Sequence, residues 1–437
     1  MKIEALYEIF LQYGKISTDS RAVSEKSIFF SLKGANFNGN EFAEDALNKG
    51  AAVCILDDEK YYNPNNPKFI FVDDCLKTLQ ELATFHRSKF TFPVLGITGT
   101  NGKTTTKELI AGVLALKYRV KATSGNLNND IGVPLSVLSV DIKNTDFCVI
   151  EMGANHIGEI AFLCEIAKPN YGLITSIGKA HLEGFGSFEN IIKTKLELYN
   201  FIERTNGTVF ADADNEILVK NLANINAMYY GVENNDKLSC FGKLDTGAVN
   251  LSFDWQTKNR KEVFHVDSKM YGKYNFINML AAACVGTYFD VPEEDITNYL
   301  SNFLSDNNRS QIITIGSNTI ICDAYNANPS SMEVALDTFD EIKAEGKMMI
   351  IGDMFELGKD SEKEHQKILD KIDKMNVERV ILVGKTYSKL NSKYESYLTI
   401  DDAVLNIKIP NLSKTILIKG SRSMKLEKII NTNFSIS

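Results

Sequence analysis

Three successive α/β domains are predicted by this sequence, on three observations. Its 437 residues correspond to about three domains at roughly 150 residues each. Short apolar runs alternate with helix-patterned stretches along the chain, the grammar of mostly parallel sheets covered on both faces. That grammar restarts twice: after Phe90-Thr91-Phe92-Pro93, where proline biases its predecessor toward extended backbone, and again near residue 307. The expected units are 1–90, 91–306 and 307–437: a small N-terminal α/β domain, a central domain with a mostly parallel sheet and a phosphate loop, and a Rossmann-like C-terminal domain.

The first unit opens with a helix. Short strands follow at SIFFSL (27–32), AAVCIL (51–56) and KFIFVD (68–73), and the helix LKTLQELATFHRSK closes it. The second starts with the strand PVLGIT and continues through FCVIEM (147–152), YGLITSI (171–177) and TVFADAD (208–214). Between the first two lies the helical TTTKELIAGVLALK, with Leu109, Val113 and Leu116 at helical spacing. LSFDWQTKNRKEVFHV alternates apolar and polar residues around a polar turn, which predicts an antiparallel hairpin added to that sheet. The third unit carries NTIICDAY, KMMIIGDM, RVILVG and TILIKGS, each followed by helix-like sequence; its functional residues are expected at the carboxyl ends of those strands.

Composition narrows the function. Apolar residues make up 44% and charged residues 24%, with 48 Lys plus Arg against 56 Asp plus Glu and a net charge of -8. Without a basic run, a nucleic-acid surface is not expected. No apolar stretch is long enough to span a bilayer, and Glu4 and Glu8 fall where a signal peptide needs its apolar core. The 7 cysteines are scattered, without a Cys-x-x-Cys pair, and fit buried thiols in a reducing compartment. A cytoplasmic, monomeric protein is expected.

Residues 97–108, ITGTNGKTTTKE, follow an apolar strand and precede an amphipathic helix. That context is what a phosphate-binding loop requires. Gly99 and Gly102 permit the tight turn that aims N–H groups inward, and the helix presents its positive end. Thr100, Asn101 and Thr105 complete the loop, Lys103 has the reach for a terminal phosphate, and Thr104 offers a hydroxyl to Mg²⁺. The spacing departs from G-x-x-x-x-G-K-[ST], since residue 97 is Ile. ATP is the predicted ligand.

The shortened loop T-G-T-N-G-K-T-T resembles that of the Mur ligase family, ATP-dependent amide-forming enzymes of peptidoglycan precursor synthesis, to which folylpolyglutamate synthases are related. Glu151 ends the strand beside the loop, where a carboxylate suits a Mg²⁺ bridging ATP oxygens. His181, in GKAHLEGFGS (178–187), reads by itself equally as a surface residue or a ligand. EMGAN and AHLEGFGS together are similar to the family's motifs, and the resemblance implies that Glu151 and His181 hold two Mg²⁺ ions; His156 stays structural or secondary. In IIKTKLELY (191–199) the bare pattern is a solvated helix face carrying Lys193 and Lys195. The resemblance implies instead a carbamylated lysine, at Lys195 with Lys193 the competing alignment; desolvation favours the neutral amine that captures CO₂.

GKYNFINMLAAA (272–283) matches the family helix with two asparagines, here Asn275 and Asn278, whose amides suit the edge of adenine; without the family the pair reads as helix packing. Tyr274 stands where the family usually has His. Arg309 and Asp323 match the arginine reaching ATP from the third domain and the acidic residue associated with the ribose, although Asn308 replaces the usual glycine. The run DAYNANPSSM (323–332), with GDMFELG (352–358) and KGSRSM (419–424), resembles the branch of the family that adds D-alanyl-D-alanine. Asn326, Asn328, Lys419 and Arg422 are the implied contacts for a dipeptide. TDSR (18–21) resembles the uridine-nucleotide domain, giving Ser20 and Arg21 to UDP; Asn40 replaces the family's His and nothing carries over there. Asn126 and Asn129, in GNLNNDIGVPLSVL (125–138), face the muramoyl arm in the family or, by their own chemistry, cap the helix that follows.

The resemblance implies an ATP-dependent ligase joining D-alanyl-D-alanine to a UDP-N-acetylmuramoyl-tripeptide through an acyl phosphate, with Lys103, His181 and Lys195 at the chemistry, ATP and Mg²⁺ as cofactors, and the third domain closing over the centre. Rival expectations are the third-residue-adding ligase, folylpolyglutamate synthase, a P-loop kinase or an ATP-gated binding protein. The sequence assigns no general base and does not choose between diaminopimelate and lysine in the acceptor.

Overall fold

A computed structural model describes the chain except residues 223, 233–236, 246–248, 306–307, 391–392, 410–412 and 434–437. The boundary expected at 306–307 lies outside the described residues.

The N-terminal sheet is parallel, in the order Ile16–Ser17, Ile28–Phe30, Val53–Leu56, Phe69–Phe71. The helix Cys75–Arg87 ends the unit; its entry is fixed by Asp74, whose carboxylate accepts from the Lys77 N–H at 2.8 Å, a standard cap for the orphan donors of a first turn. This unit does not merely hang from the Phe90–Pro93 joint. Buried Leu79, Leu82 and Ala83 share one core with Val133, Val137 and Leu163 of the central unit. Buried His86 accepts from the Tyr7 hydroxyl (3.1 Å) and donates to the Val140 carbonyl (3.0 Å), while Arg87 donates to the carbonyls of Ala167 (2.7 Å) and Lys168 (2.6 Å).

The central strands run in parallel in the order Val120–Ala122, Phe147–Glu151, Val94–Thr98, Tyr171–Ile174, Thr208–Asp212, Asn226–Gly231, Leu238–Leu244. Their continuous apolar runs follow from burial on both faces. Val94, Cys148 and Ile150 enter the core shared with the first unit, whereas Leu95, Ile97, Phe147 and Val149 enter a second core under the helices Lys103–Ala115 and Tyr274–Tyr288. Leu109 and Val113 are buried there as predicted. Leu116 is not: it lies just past the end of its helix, 46% exposed, and Leu114 takes the inward position. The predicted hairpin is present as Asn250–Thr257 against Phe264–Tyr271, with burial alternating along each strand.

One ladder pair, Met270 with Gln311, joins this sheet to the C-terminal one. There Gln311–Ile315 pairs antiparallel with Asn318–Asp323, and Thr415–Lys419, Lys347–Gly352, Arg379–Val383 and Glu395–Tyr397 continue in parallel. The four predicted strands are there; Gln311–Ile315 and the short edge Glu395–Tyr397 escaped prediction. No described helix is long and apolar enough to cross a membrane.

Candidate active site

In the central sheet the first strand, Val94–Thr98, lies between strands reached by opposite crossovers, Phe147–Glu151 and Tyr171–Ile174. Such a switch point opens a crevice at the carboxyl ends of the strands. A cavity of about 700 Å³ lies there, lined from both the central and C-terminal units by residues including Lys103, Glu151, His181, Asn275, Arg309 and Asp323.

The loop 99–102 is shaped by close approaches. Gly99 has φ +145°, and a Cβ there would sit 2.1 Å from Thr175 Oγ1; Gly102 has φ +82°, and its Cβ would meet Asn278 Oδ1 at 2.9 Å. The segment after Ile174 pins the loop. Thr100 donates its N–H to the Ser176 carbonyl at 2.8 Å, Thr175 donates its hydroxyl to the Asn101 carbonyl at 2.6 Å, and Asn101 donates its N–H to Ser176 Oγ at 3.0 Å. Sequence reading missed Thr175 and Ser176, because nothing local ties them to a loop more than seventy positions away. Lys103 turns its ammonium back over the loop, donating to the carbonyls of Gly99 (2.8 Å) and Thr100 (3.1 Å). Burial lowers its pKa, the Glu151 charge opposes that fall and Arg309 adds to it.

Glu151 is 1% exposed. One carboxylate oxygen accepts from the Thr104 hydroxyl (3.2 Å) and the Asn128 amide (2.8 Å). The other has no hydrogen-bond partner, with the Lys107 ammonium 3.9 Å away. Asn128 and Lys107 were not anticipated; the Asn-rich run 126–129 signals a polar loop without saying which amide turns inward. Asn126 and Asn129 line the cavity. Asn129 also performs the capping role, accepting from the Gly132 N–H at 2.8 Å at the start of the helix Gly132–Leu138.

Lys195 and Lys193 part company on the helix Phe188–Arg204: Lys195 is 3% exposed and Lys193 faces solvent. Lys195 rests 5.6 Å from the Phe185 ring centroid and makes no hydrogen bond or ion pair among the described residues. Burial, with Lys103 adding, lowers its pKa to about 7. His181 holds a left-handed backbone, φ +50°, and its Nδ1 meets the carboxylate of Glu356, in close charge contact though not aligned as a hydrogen bond. Burial lowers the His181 pKa against the pull of Glu356, with Lys103 and Lys195 also lowering it. Lys103, Glu151, His181 and Lys195 are thus electrostatic neighbours. His156 lies at the cavity wall, paired with Glu159 at 3.3 Å.

The asparagine pair belongs to a hydrogen-bonded chain: the Thr106 hydroxyl donates to Asn278, whose amide donates to Asn275 Oδ1 (2.9 Å), whose amide donates to the Tyr271 carbonyl (2.7 Å). Both line the cavity while bracing the helix. Tyr274 shares a hydrogen bond with Ser310 (2.7 Å). Asn308 takes φ +57°, the left-handed turn a glycine would make, which Asn tolerates better than most residues. Arg309 stacks on Tyr325 with its guanidinium 3.6 Å from the ring centroid, and its Nε is buried without a partner. Asp323 is engaged by Lys419 at 2.6 Å, with Lys419 2% exposed.

Several predicted substrate contacts stand elsewhere. Ser20 and Arg21 are on the N-terminal unit away from this cavity lining, Arg21 being paired with Asp19. Arg422 is largely exposed, its guanidinium 5.2 Å from the Tyr325 ring centroid. Asn326 and Lys419 line the cavity; Asn328 does not. Its Oδ1 caps the helix Pro329–Glu341 through the Ser331 N–H, and its amide donates to Asn101. Asn40 is fully occupied, donating to Asp57 and accepting from the Asp57 N–H.

Fold and site together define an α/β protein whose glycine-rich loop opens on a crevice lined by its central and C-terminal units. Family comparisons agree: the Mur ligase family catalytic domain matches residues 12–87, the Mur ligase middle domain 97–286, and the Mur ligase glutamate ligase domain 308–422. The chain is 34% identical to the UDP-N-acetylmuramoyl-tripeptide–D-alanyl-D-alanine ligase of Bacillus subtilis, over 97% of this chain and 93% of that one. It superposes on a crystal structure of MurF from Acinetobacter baumannii with a TM-score of 0.84 at 27% identity, covering 95% of this chain and 92% of the other. MurF ligase from Thermotoga maritima, solved with ADP, gives 0.81 at 26% identity and 97% coverage of both. The chain belongs to the Mur ligase family.

Proposed function

We propose that this protein uses ATP to join D-alanyl-D-alanine to a UDP-N-acetylmuramoyl-tripeptide, releasing ADP and phosphate. The observation that carries the reading is the convergence of Lys103, Glu151 and His181 on one crevice, with Lys195 outside its lining but buried within charge reach of Lys103 and His181, in a chain whose relatives over nearly full length bear that activity's name.

The chemistry follows from the leaving-group problem. A carboxylate resists attack by an amine because it would have to expel oxide. Transfer of the γ-phosphoryl group of ATP to the tripeptide carboxylate forms a C–O–P link and frees ADP. The amine of D-alanyl-D-alanine then adds to the carbonyl carbon, and collapse expels phosphate and leaves the amide. The N–H groups of 102–105 and the Lys103 ammonium receive the phosphates, those of Thr100 and Asn101 being held by Ser176, and Lys103 offsets charge on the transferring group. Asn275 and Asn278 border the adenine, Asp323 the ribose, and Arg309 extends from the third unit toward the phosphates.

The residues present fit Mg²⁺. An unpartnered, buried Glu151 oxygen beside the Thr104 hydroxyl is the environment a cation satisfies. Mg²⁺ takes one or two carboxylates and completes its shell with water and phosphate oxygens. Thr104, Glu151 and His181 would hold it, together with Lys195 once its amine has added to CO₂ and lost a proton to become an anionic carbamate. Bound Mg²⁺ neutralises charge between ATP and the carboxylate. The N-terminal unit takes the uridine nucleotide through Ser20 and Arg21, Asn126 and Asn129 border the muramoyl arm, and Asn326, Lys419 and Arg422 flank the dipeptide. Closure of the third unit keeps water from the acyl phosphate.

Phosphate release, measured with the tripeptide nucleotide in the presence and absence of D-alanyl-D-alanine, tests the reading. Release requiring both is expected. A stable phosphorylated product would mean a kinase, and release indifferent to both would reject a ligase.

A further inference from the structure

We propose that Glu356 is a positioning residue: it holds His181 in its metal-binding orientation, and because it stands on the third unit, that orientation is completed only when this unit is seated. The proposal rests on the metal reading of His181 given above.

Glu356 lies in the GDMFELG turn, and two features fix where it points. The turn is clamped from inside its own unit. The Met354 N–H donates to Nε2 of buried His365 at 3.0 Å, and Nδ1 of that ring is bound to the Ser361 carbonyl at 2.8 Å, so the ring is neutral with its proton on Nδ1. The Phe355 N–H donates to Ser421 Oγ at 3.2 Å, and the Asp353 carboxylate accepts from the N–H groups of Thr386 and Tyr387. Held at its base, the turn carries Glu356 in a left-handed conformation, φ +62°, against His181, itself at φ +50°. Non-glycine residues in that region are disfavoured and persist where the surroundings over-determine them. Here two such residues from different units meet side chain to side chain. The neighbouring backbone packs too: a Cβ on Gly358 would lie 3.4 Å from Glu183 Cβ.

A histidine that ligates a metal through one ring nitrogen usually gives the other to a carboxylate or carbonyl, which sets tautomer and ring angle. Glu356 stands against Nδ1 as its charge partner, leaving Nε2 for the ion. The carboxylate is 60% exposed, so its place is not explained by core packing, and substitution there does not threaten folding.

The test is a titration of the full chain with Mn²⁺ in the presence of ADP, followed by electron paramagnetic resonance, on the wild type, Glu356→Gln, His181→Ala and the double variant. Glu356→Gln should weaken Mn²⁺ binding about 10–100-fold while metal-free ADP affinity stays within about twofold, and the double variant should bind no more weakly than His181→Ala alone. Mn²⁺ affinity within about twofold of wild type in Glu356→Gln, or losses that add in the double variant, would overturn the proposal and leave the ligase reading standing. Failure of the wild type to bind Mn²⁺ would overturn this proposal and the metal reading together.

Discussion

Asn101, in the phosphate loop, and Asn328, at the head of the helix Pro329–Glu341, are hydrogen-bonded between the second and third units: the Asn328 amide donates to Asn101 Oδ1 at 2.8 Å. The Asn101 amide in turn donates to Ser330 Oγ at 2.9 Å. The loop proposed to receive phosphate is therefore tied directly to the unit that covers it. Asn328→Asp keeps a good helix cap but removes the donor to Asn101. With a hydrogen bond worth about 1 kcal/mol and an unmet buried acceptor more, kcat/KM for D-alanyl-D-alanine should fall about five- to tenfold, while ADP affinity by calorimetry stays within about twofold.

Gly99→Ala should abolish nucleotide binding. The added methyl would lie 2.1 Å from Thr175 Oγ1, at a backbone φ of +145° that L side chains rarely adopt. Fluorescence titration with an ADP analogue should show at least a hundredfold loss, with far-UV circular dichroism unchanged because the strain is local to the loop.

Lys195→Ala should reduce turnover by on the order of 10²–10³, and millimolar short carboxylic acids should restore part of it by supplying the missing anionic oxygens. Lys193→Ala, on the solvent face of the same helix, should stay within about twofold of wild type. Equal losses in the two variants would contradict the assignment.

Asp212, at the end of the strand Thr208–Asp212 and in the cavity wall, has its carboxyl pushed up from 3.8 to about 6, chiefly by burial. A carboxyl raised in the folded state lends stability below about pH 3.8 that is lost as pH rises through about 6; above that the fold carries a disfavoured charge. Asp212→Asn should therefore raise Tm at pH 7.5 by about 2–4 °C, corresponding to roughly 1 kcal/mol, and the gain should shrink between pH 6 and pH 4. A gain independent of pH would show that packing, not charge, is responsible.

What could be read in the sequence was local. Val94–Thr98, the loop and the helix Lys103–Ala115 are contiguous, and an all-apolar strand followed by T-G-T-N-G-K-T-T specifies its own context. Glu151 was legible because it ends a neighbouring strand, and His181 only through the family resemblance. Lys193 and Lys195 are two positions apart, on different faces of one helix, and spacing alone does not say which face is covered; packing does. The same limit left Asn128 unnoticed between Asn126 and Asn129, and put Leu116 in the core although the helix ends at Ala115. Asn328 fitted a substrate contact by chemistry, but its Oδ1 caps its own helix through the Ser331 N–H, and its amide N–H reaches Asn101, more than two hundred residues away in sequence. Non-local partners of this kind are set by tertiary packing.

Positional isotope exchange in ATP labelled with ¹⁸O in the β,γ-bridge reports most directly whether the γ-phosphoryl group is transferred to an acyl oxygen in this crevice. With UDP-N-acetylmuramoyl-tripeptide bound and D-alanyl-D-alanine withheld, reversible acyl-phosphate formation should scramble the bridging label into the β-nonbridging positions, and Lys103→Ala should suppress it. Absence of scrambling with the tripeptide nucleotide present, or equal scrambling without it, would contradict the proposed chemistry.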